Sequence, residues 1–272
     1  MGAHGVVPIR GVIISYWVLP IISGLVWLGM LLGMLLSWII DEHGRHYSTM
    51  ADTASIAYIS NIGASRLSPL FITGCVLTSV LLDASFIAER WLRHRGRLVP
   101  NTSVGEKVLA ALTIIFAVFG TVGLICLSIF QTGKHKRLHY SFLALFIAGY
   151  MISAVFICWE YQRLGIRNRD HKMLRISFYV KLTFILVELA LCIVFGACSR
   201  THHQNPAAVF EWIISFVFSF YVFSFVIDLY PAVRTKSHDA RYLKPSPRDT
   251  EQEGSVSNES RSNFRQPNVE MV

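Results

Sequence analysis

A chain of 272 residues that is 53% hydrophobic and only 15% charged, with a mean hydropathy of +0.47, departs from soluble domains, which carry about 25% charged residues. Its apolar residues fall in long runs, and its formal charge of +8 is gathered between them. That pattern excludes a water-soluble globular domain and points to an all-α membrane protein crossing the bilayer several times.

The first run, Gly11–Ile40, is interrupted only by Ser15, Ser23 and Ser37 and carries Trp17, Trp27 and Trp38. A cleavable signal peptide has an apolar core of about 7–15 residues, so this longer run predicts a retained helix, with residues 1–10 as a short N-terminus. Val6 stands where a myristoylation signal needs Ser or Thr. Gly29 and Gly33 form a GxxxG pair, which predicts close helix packing inside the bundle.

Next comes Ser55–Phe71, "SIAYISNIGASRLSPLF". It has no charge from Thr53 to Ser65, although Asp41, Glu42, Arg45 and Asp52 crowd the residues before it. It is too short and polar to span about 30 Å of hydrocarbon, while Asn61 and Gly63 supply turn chemistry. It reads as a cap lying at the membrane interface, with Tyr58 in the interfacial zone.

Further runs at 69–90, 108–130, 139–161, 174–198 and 209–230 bring the expected total to a six-helix transmembrane bundle over 11–230. An even number of spans leaves both termini on one side. Arg10, Arg90, Arg93, Arg95, Arg97, Lys107, Arg163, Arg167, Arg169, Lys172, Arg175 and the tail from Arg234 share that side. The other side holds Arg45, Arg66, Lys134, Lys136, Arg137 and Arg200, so the positive-inside rule puts both termini in the cytoplasm. Residues 231–272 are poor in aromatic and β-branched residues and read as a disordered cytoplasmic tail, basic near the membrane at Arg234, Lys236, Arg241 and Lys244.

Four ionisable residues fall inside the spans: Asp83, Lys181, Glu188 and Asp228. Each costs about 2.5–3.5 kcal/mol on insertion scales, so each needs a partner or a task. Their depths let Lys181 meet Asp83 or Asp228. Lys181 and Glu188 lie two turns apart on one face, about 10 Å along the axis, and that face should point into the bundle. Structural pairing, a lipid or ligand site, and an ion pathway all remain open.

Five cysteines lie in or beside apolar runs and indicate buried thiols rather than disulfides. No nucleophile elbow, zinc-protease, phosphate-loop or CxxC motif occurs, so no catalytic residue, cofactor or metal is assigned. His202-His203 and the His135/His139 pair lack the acidic or cysteine companion that a metal site would need. The basic clusters Arg93, Arg95, Arg97 and Arg167, Arg169, Lys172, with the tail residues above, form one face suited to anionic lipids; no nucleic-acid partner is expected.

The segment Ala57–Phe71 resembles the signature of the FRAG–DRAM–Sfk family, P-[YF]-I-S-[DN]-x-G followed by a proline and phenylalanine entering the second span. Tyr58, Ile59, Ser60, Asn61, Gly63, Pro69 and Phe71 match it, and Ala57 replaces the usual proline. Phe130-Gln131 with His139, Glu211-Trp212 and Asp228 resemble further family segments, over about residues 10–230. The resemblance implies six helices with cytoplasmic termini. It groups the chain with lysosomal autophagy modulators, with a plasma-membrane protein supporting phosphatidylinositol 4-kinase signalling and phospholipid asymmetry, and with GPI-anchor remodelling factors.

The short basic tail and inner loops look most like the plasma-membrane branch. The expected role is therefore a non-enzymatic organiser of lipids, or of a phosphoinositide-kinase complex, at the cytoplasmic surface. The rivals are a GPI-lipid enzyme using His139 and Glu211 as an acid–base pair, and a small transporter using Lys181, Glu188 and Asp228. A vacuolar, lysosomal or Golgi location accompanies the alternatives. The capping segment would either plug the outer mouth of the bundle or close over a lipid cleft beside His139 and Glu211.

The orientation makes the sequon at Asn101-Thr102-Ser103 cytoplasmic. Glycosidase treatment of the protein from cells should leave its Asn101 peptide unchanged in mass; a glycan there would reverse the topology.

Overall fold

A computed structural model describes residues 6–9, 12–169 and 172–234. The tail residues Lys236, Arg241 and Lys244 lie outside them. Two short strands, β1 (Val6–Ile9) and β2 (Val12–Ser15), pair antiparallel with Val6 opposite Ser15. The helices are α1 (Val18–Leu36), α2 (Ile59–Gly63), α3 (Ser68–His94), α4 (Val104–Ile129), α5 (Lys136–Arg167), α6 (Lys172–Arg200), α7 (Gln204–Leu229) and α8 (Pro231–Arg234). A π-helical turn, Ser37–Asp41, extends α1. Together with α3 to α7, that extended helix gives six helices among the described residues that are long and apolar enough to cross a membrane. The chain is an all-α six-span membrane bundle with a small β-hairpin before it.

Two boundaries correct the sequence reading. The first span begins at Val18 and not Gly11: the β-branched Val12-Ile13-Ile14 favours extended backbone, and Pro20 sits in the first helical turn, where its missing N–H costs nothing. The region assigned wholly to a disordered tail starts instead with one helical turn, α8, led by Pro231 at its first position.

Both described ends of the bundle meet at one pole. Leu92 and Leu98 pack with Leu229 and Ala232 against Tyr16 and Trp17, and the Trp17 and Tyr230 rings meet edge-on at 6.2 Å. This terminal pole also holds the α3–α4 connection. The opposite, loop pole holds residues 42–67, the α4–α5 turn and the α6–α7 turn. The Glu106 carboxylate caps α4 by accepting from the Thr102 and Ser103 amides at 2.9 and 3.1 Å.

Lipid tails are as apolar as Leu, so close helix approach must come from packing. A Cβ on Gly149 would collide with the Gly120 backbone, and one on Gly123 would lie 2.5 Å from the Phe146 amide nitrogen, so α4 and α5 touch backbone to backbone. The GxxxG pair does not do this. Gly29 has nothing within 4 Å of a built Cβ, and Gly33 makes only an ordinary 3.5 Å contact to Leu70.

Helix α6 is the loosest member. Its buried residues, Leu174, Ser177, Lys181, Ile185 and Glu188, form a single stripe at helical spacing, and none follows Glu188. The half of α6 toward the loop pole therefore covers the bundle without being covered by it.

Replacing Gly149 by Val should destabilise the detergent-purified protein by about 1–3 kcal/mol, the usual cost of overpacking. Gly29→Ala should leave the thermal midpoint unchanged; equal losses at both positions would contradict this packing.

Candidate functional site

At the loop pole, residues 42–67 fold into a cap that is fastened to its own base. Trp38 Nε1 donates to the Arg45 carbonyl at 3.0 Å, Tyr47 hydroxyl donates to Glu42 at 2.5 Å, and Arg66 pairs with Glu42 at 3.0 Å. Burial pushes the Tyr47 phenol up to about 12, and the Glu42 hydrogen bond adds to the rise. Asn61 organises α2: its Oδ1 accepts from the Tyr58 amide at 3.0 Å, and its Nδ2 donates to Thr49 at 2.9 Å. Gly63 is required by close approach, since a Cβ there would lie 2.5 Å from the Phe71 ring. Pro69 fits the first turn of α3.

The charge-free stretch is held by side chains from the start of α7. Asn205 Oδ1 accepts from the Ser55 and Ile56 amides at 2.7 and 3.0 Å. Glu211 Oε2 accepts from the Ile59 amide at 2.7 Å, and Trp212 Nε1 donates to the Ala57 carbonyl at 3.0 Å. The Tyr58 hydroxyl donates to Gln204 at 3.0 Å, and burial, reinforced by the Glu211 carboxylate, pushes that phenol up to about 12. Backbone groups that water would otherwise satisfy are thus paired inside the protein, which lets an irregular segment lie against the spans.

His139, buried at the start of α5, places Nδ1 2.9 Å from the Phe130 carbonyl oxygen, and Gln131 Nε2 donates to Ser68 at 3.1 Å. The Phe130-Gln131…His139 segment thereby ties the α4–α5 turn to the start of α3. Beneath the cap, Ser60, His139 and Glu211 line one end of a cavity of about 50 Å³, whose remaining walls are largely apolar and include Phe71, Phe146 and Phe195. No hydrogen bond joins His139 to Glu211 among the described residues; each carries its own backbone contact. Trp27, Phe146, Ile147, Ile214 and Ser215 also line a second cavity, of about 70 Å³, between α5, α6 and α7. Glu188 reaches this second space, and its Oε1 has no hydrogen-bond partner among the described residues. The two cavities share these walls, and both border α6, one at Phe184, Ile185, Glu188 and Cys192 and the other at Phe195; together they are the cleft region between α5, α6 and α7.

Toward the terminal pole one of the two candidate carboxylates pairs with Lys181. Lys181 is bound to Asp228, and Ser177 donates to the same carboxylate while accepting from Lys181 Nζ at 2.8 Å. The Tyr161 and Phe225 rings lie 4.8 and 4.5 Å from that ammonium. Asp83, the other carboxylate considered for Lys181, instead accepts from Thr121 at 2.8 Å, and Thr121 shares a 2.7 Å hydrogen bond with the Tyr150 hydroxyl.

A second cluster was not anticipated. Glu89 accepts from Arg93 Nη2 and from the Tyr161 hydroxyl, both at 2.7 Å, and fully buried Glu160 pairs with Arg90 and with Asn101 at 2.9 Å. The four-residue spacing of Glu89 and Arg93 was the available signal.

That cluster corrects the assignment of Arg93 to a lipid-contacting face. Arg93 is 4% exposed, and its remaining fork holds the Val99 carbonyl at 2.8 Å. Arg97 donates to the Ala232 carbonyl. Arg95 is exposed, with its guanidinium 4.5 Å from the Trp91 ring centre, and Arg169 and Lys172 are exposed too. Arg167 pairs with Glu106 at 3.7 Å while half exposed, and Arg234 ends α8. Among the described residues no group of three or more His, Cys, Asp or Glu is placed to hold a metal ion.

Six spans, a docked cap and buried ion pairs define a multi-pass membrane protein. The chain belongs to the Frag1/DRAM/Sfk1/Cwh43P family, whose N-terminal domain matches residues 15–232. It is 30% identical over 217 residues to Protein sfk1 of Schizosaccharomyces pombe, covering 79% of this chain and 63% of that protein. It is 22% identical over 275 residues to Protein SFK1 of Saccharomyces cerevisiae, covering 79% of this chain and 78% of that protein. No solved structure matches.

Removing Lys181 with Met should destabilise the protein by about 3–5 kcal/mol, because Asp228 is left buried and uncompensated. In chemical unfolding of the double variants, Asp228→Asn should recover much of that loss and Asp83→Asn none. Rescue by Asp83→Asn alone would contradict the pairing.

Proposed function

We propose that this chain is a non-enzymatic lipid-organising protein that admits part of a membrane lipid into the cleft between α5, α6 and α7. The observation that carries the reading is that both cavities border α6, one at Glu188 and Cys192 and the other at Phe195, where that helix has no buried residue beyond Glu188. In a bilayer an acyl chain gains little by exchanging lipid neighbours for Phe146 or Phe184, since both surroundings are apolar. Selectivity must then come from polar groups: Glu188 along the cleft, and Ser60, His139 and Glu211 at its capped end.

Both termini are placed in the cytoplasm on the charge asymmetry of the loops, which makes the terminal pole a cytoplasmic, basic surface. There Arg95, Arg169 and Lys172 are exposed and suited to anionic lipids at about 1 kcal/mol each. A plasma-membrane location and association with a phosphoinositide-kinase complex extend this reading from the family resemblance. In this reading Glu211 serves the cap by holding the Ile59 amide, and His139 serves the α4–α5 turn by holding the Phe130 carbonyl.

The test is photo-crosslinking of the purified full chain in membranes containing a phospholipid with a photoactivatable acyl chain. Adducts should concentrate on Phe146, Phe184 and Phe195 and should fall when Ile147→Trp fills the cleft. Labelling confined to outward positions such as Ile87 and Val122, unchanged by the filling substitution, would overturn the reading.

A further inference from the structure

The polar end of the cleft, under the cap, holds hydrogen-bonding groups that the cap leaves unused. Glu211 commits Oε2 to the Ile59 amide, while Oε1 has no hydrogen bond among the described residues. The Ser60 hydroxyl, on α2, has none either. Both side chains line the cavity of about 50 Å³, with the buried His139 ring among its walls. Neither oxygen is sealed from solvent, unlike the unpartnered Asp83 Oδ1. We propose that this end of the cleft takes the free hydroxyl of an uncharged lipid of the diacylglycerol type.

The pattern of donors and acceptors selects the group. A carboxylate oxygen can only accept, whereas a serine hydroxyl donates or accepts. The occupant must therefore bring a hydrogen-bond donor for Glu211, and an acceptor on it would satisfy Ser60. A hydroxyl does both. Phosphatidylcholine brings no donor at all, since its esters and phosphate accept and its ammonium carries only methyl groups.

Size and charge select against a phosphate. A cavity holds one water at about 10–15 Å³, so this one admits a group of about three or four heavy atoms. That is enough for a hydroxymethyl end and too small for a phosphorylated headgroup. Ile59 is part of the lining and is held by Glu211, so the space does not widen without loosening the cap. No lysine or arginine lines the cavity, and the Glu211 carboxylate would repel a phosphate.

Depth agrees. His139 lies one turn into α5 and Glu211 two turns into α7, which places the site about 5–10 Å below the helix ends at the loop pole. With an interfacial zone roughly 5–7 Å thick on each side, that is the level of a glycerol backbone rather than of the outermost headgroups. The chains of such a lipid would then lie along the cleft and against α6 beyond Glu188, where no residue is buried.

The inference deepens the reading of the cleft as a lipid site and rests on it. The test uses the full chain in phosphatidylcholine vesicles, with a photoactivatable acyl chain carried at equal mole fraction by diacylglycerol, phosphatidylcholine or phosphatidic acid. Adducts are compared at Phe195, which lines the capped cavity, and at Phe184, which lines only the other one. Diacylglycerol should label Phe195 about fivefold more than phosphatidylcholine does, the effect of one hydrogen bond. Ser60→Leu, which fills the polar end, should remove that preference at Phe195 and leave Phe184 labelling in place. Glu211→Gln, which keeps an oxygen for the Ile59 amide but replaces Oε1, should lower it. Ser60→Ala breaks no hydrogen bond within the described residues, so its lowering of the preference guards against a folding artefact.

Equal labelling of Phe195 by diacylglycerol and phosphatidylcholine overturns the hydroxyl site and leaves the cleft reading standing. A preference that survives all three substitutions overturns it as well. Phosphatidic acid matching diacylglycerol overturns the choice of an uncharged lipid. Labelling of neither Phe184 nor Phe195 by any of the lipids overturns the cleft reading itself.

Discussion

The Ile59 amide and the Glu211 carboxylate, 2.7 Å apart, set what the loop pole can be. A non-helical segment can lie against spans only if its backbone polar groups are satisfied by protein, because hydrocarbon offers none. Residues 55–59 meet that condition by borrowing Asn205, Glu211 and Trp212 from α7. The cap is thus a loop closed by one helix, and the cleft beneath it has a defined polar end. Were Glu211 absent, the Ile59 donor would be stranded and the segment would gain by moving toward water.

The same constraint governs the opposite half by different chemistry. There the unsatisfied groups would be full charges, and they are assembled into neutralising sets: Lys181 with Asp228 and Ser177, then Arg90, Arg93, Glu89 and Glu160 with Tyr161. Ion pairs of this kind rarely raise stability over an apolar substitute. Their value is in fixing which helices meet: α3 with α5, and α6 with α7. Asp83 and Glu188 break the pattern: Asp83 has only the Thr121 hydroxyl on Oδ2, and Glu188, on the α6 stripe with Lys181, has no hydrogen-bond partner for Oε1 among the described residues and borders the cleft. One helix therefore carries a paired ammonium and an unpartnered carboxyl oxygen two turns apart.

Much of this was legible in the sequence, for identifiable reasons. Span existence follows from run length, so all six helices could be placed, and the lack of charge from Thr53 to Ser65 marked the cap. Helix ends were harder: Val12–Ser15 is as apolar as the helix it precedes, and only its β-branched character hints at extended backbone. Gln204 and Asn205 were passed over because side-chain contacts to groups about 150 positions away leave no spacing pattern. Arg93 was misread for the opposite reason. Counted with its basic neighbours it looked like surface charge, although Glu89 one turn earlier marked it as half of a pair. Gly29 and Gly33 show that a motif without its partner surface says little, since the backbone contact was built from Gly120, Gly123 and Gly149.

The central claim is that α7 holds the cap closed over the cleft through Glu211. Hydrogen–deuterium exchange across residues 55–62 of the membrane-reconstituted chain, with and without Glu211→Ala, tests it most directly. Slow exchange in the unaltered protein and markedly faster exchange confined to this segment in the variant is the predicted result. Equally fast exchange in both, or equal protection in both, would contradict the account.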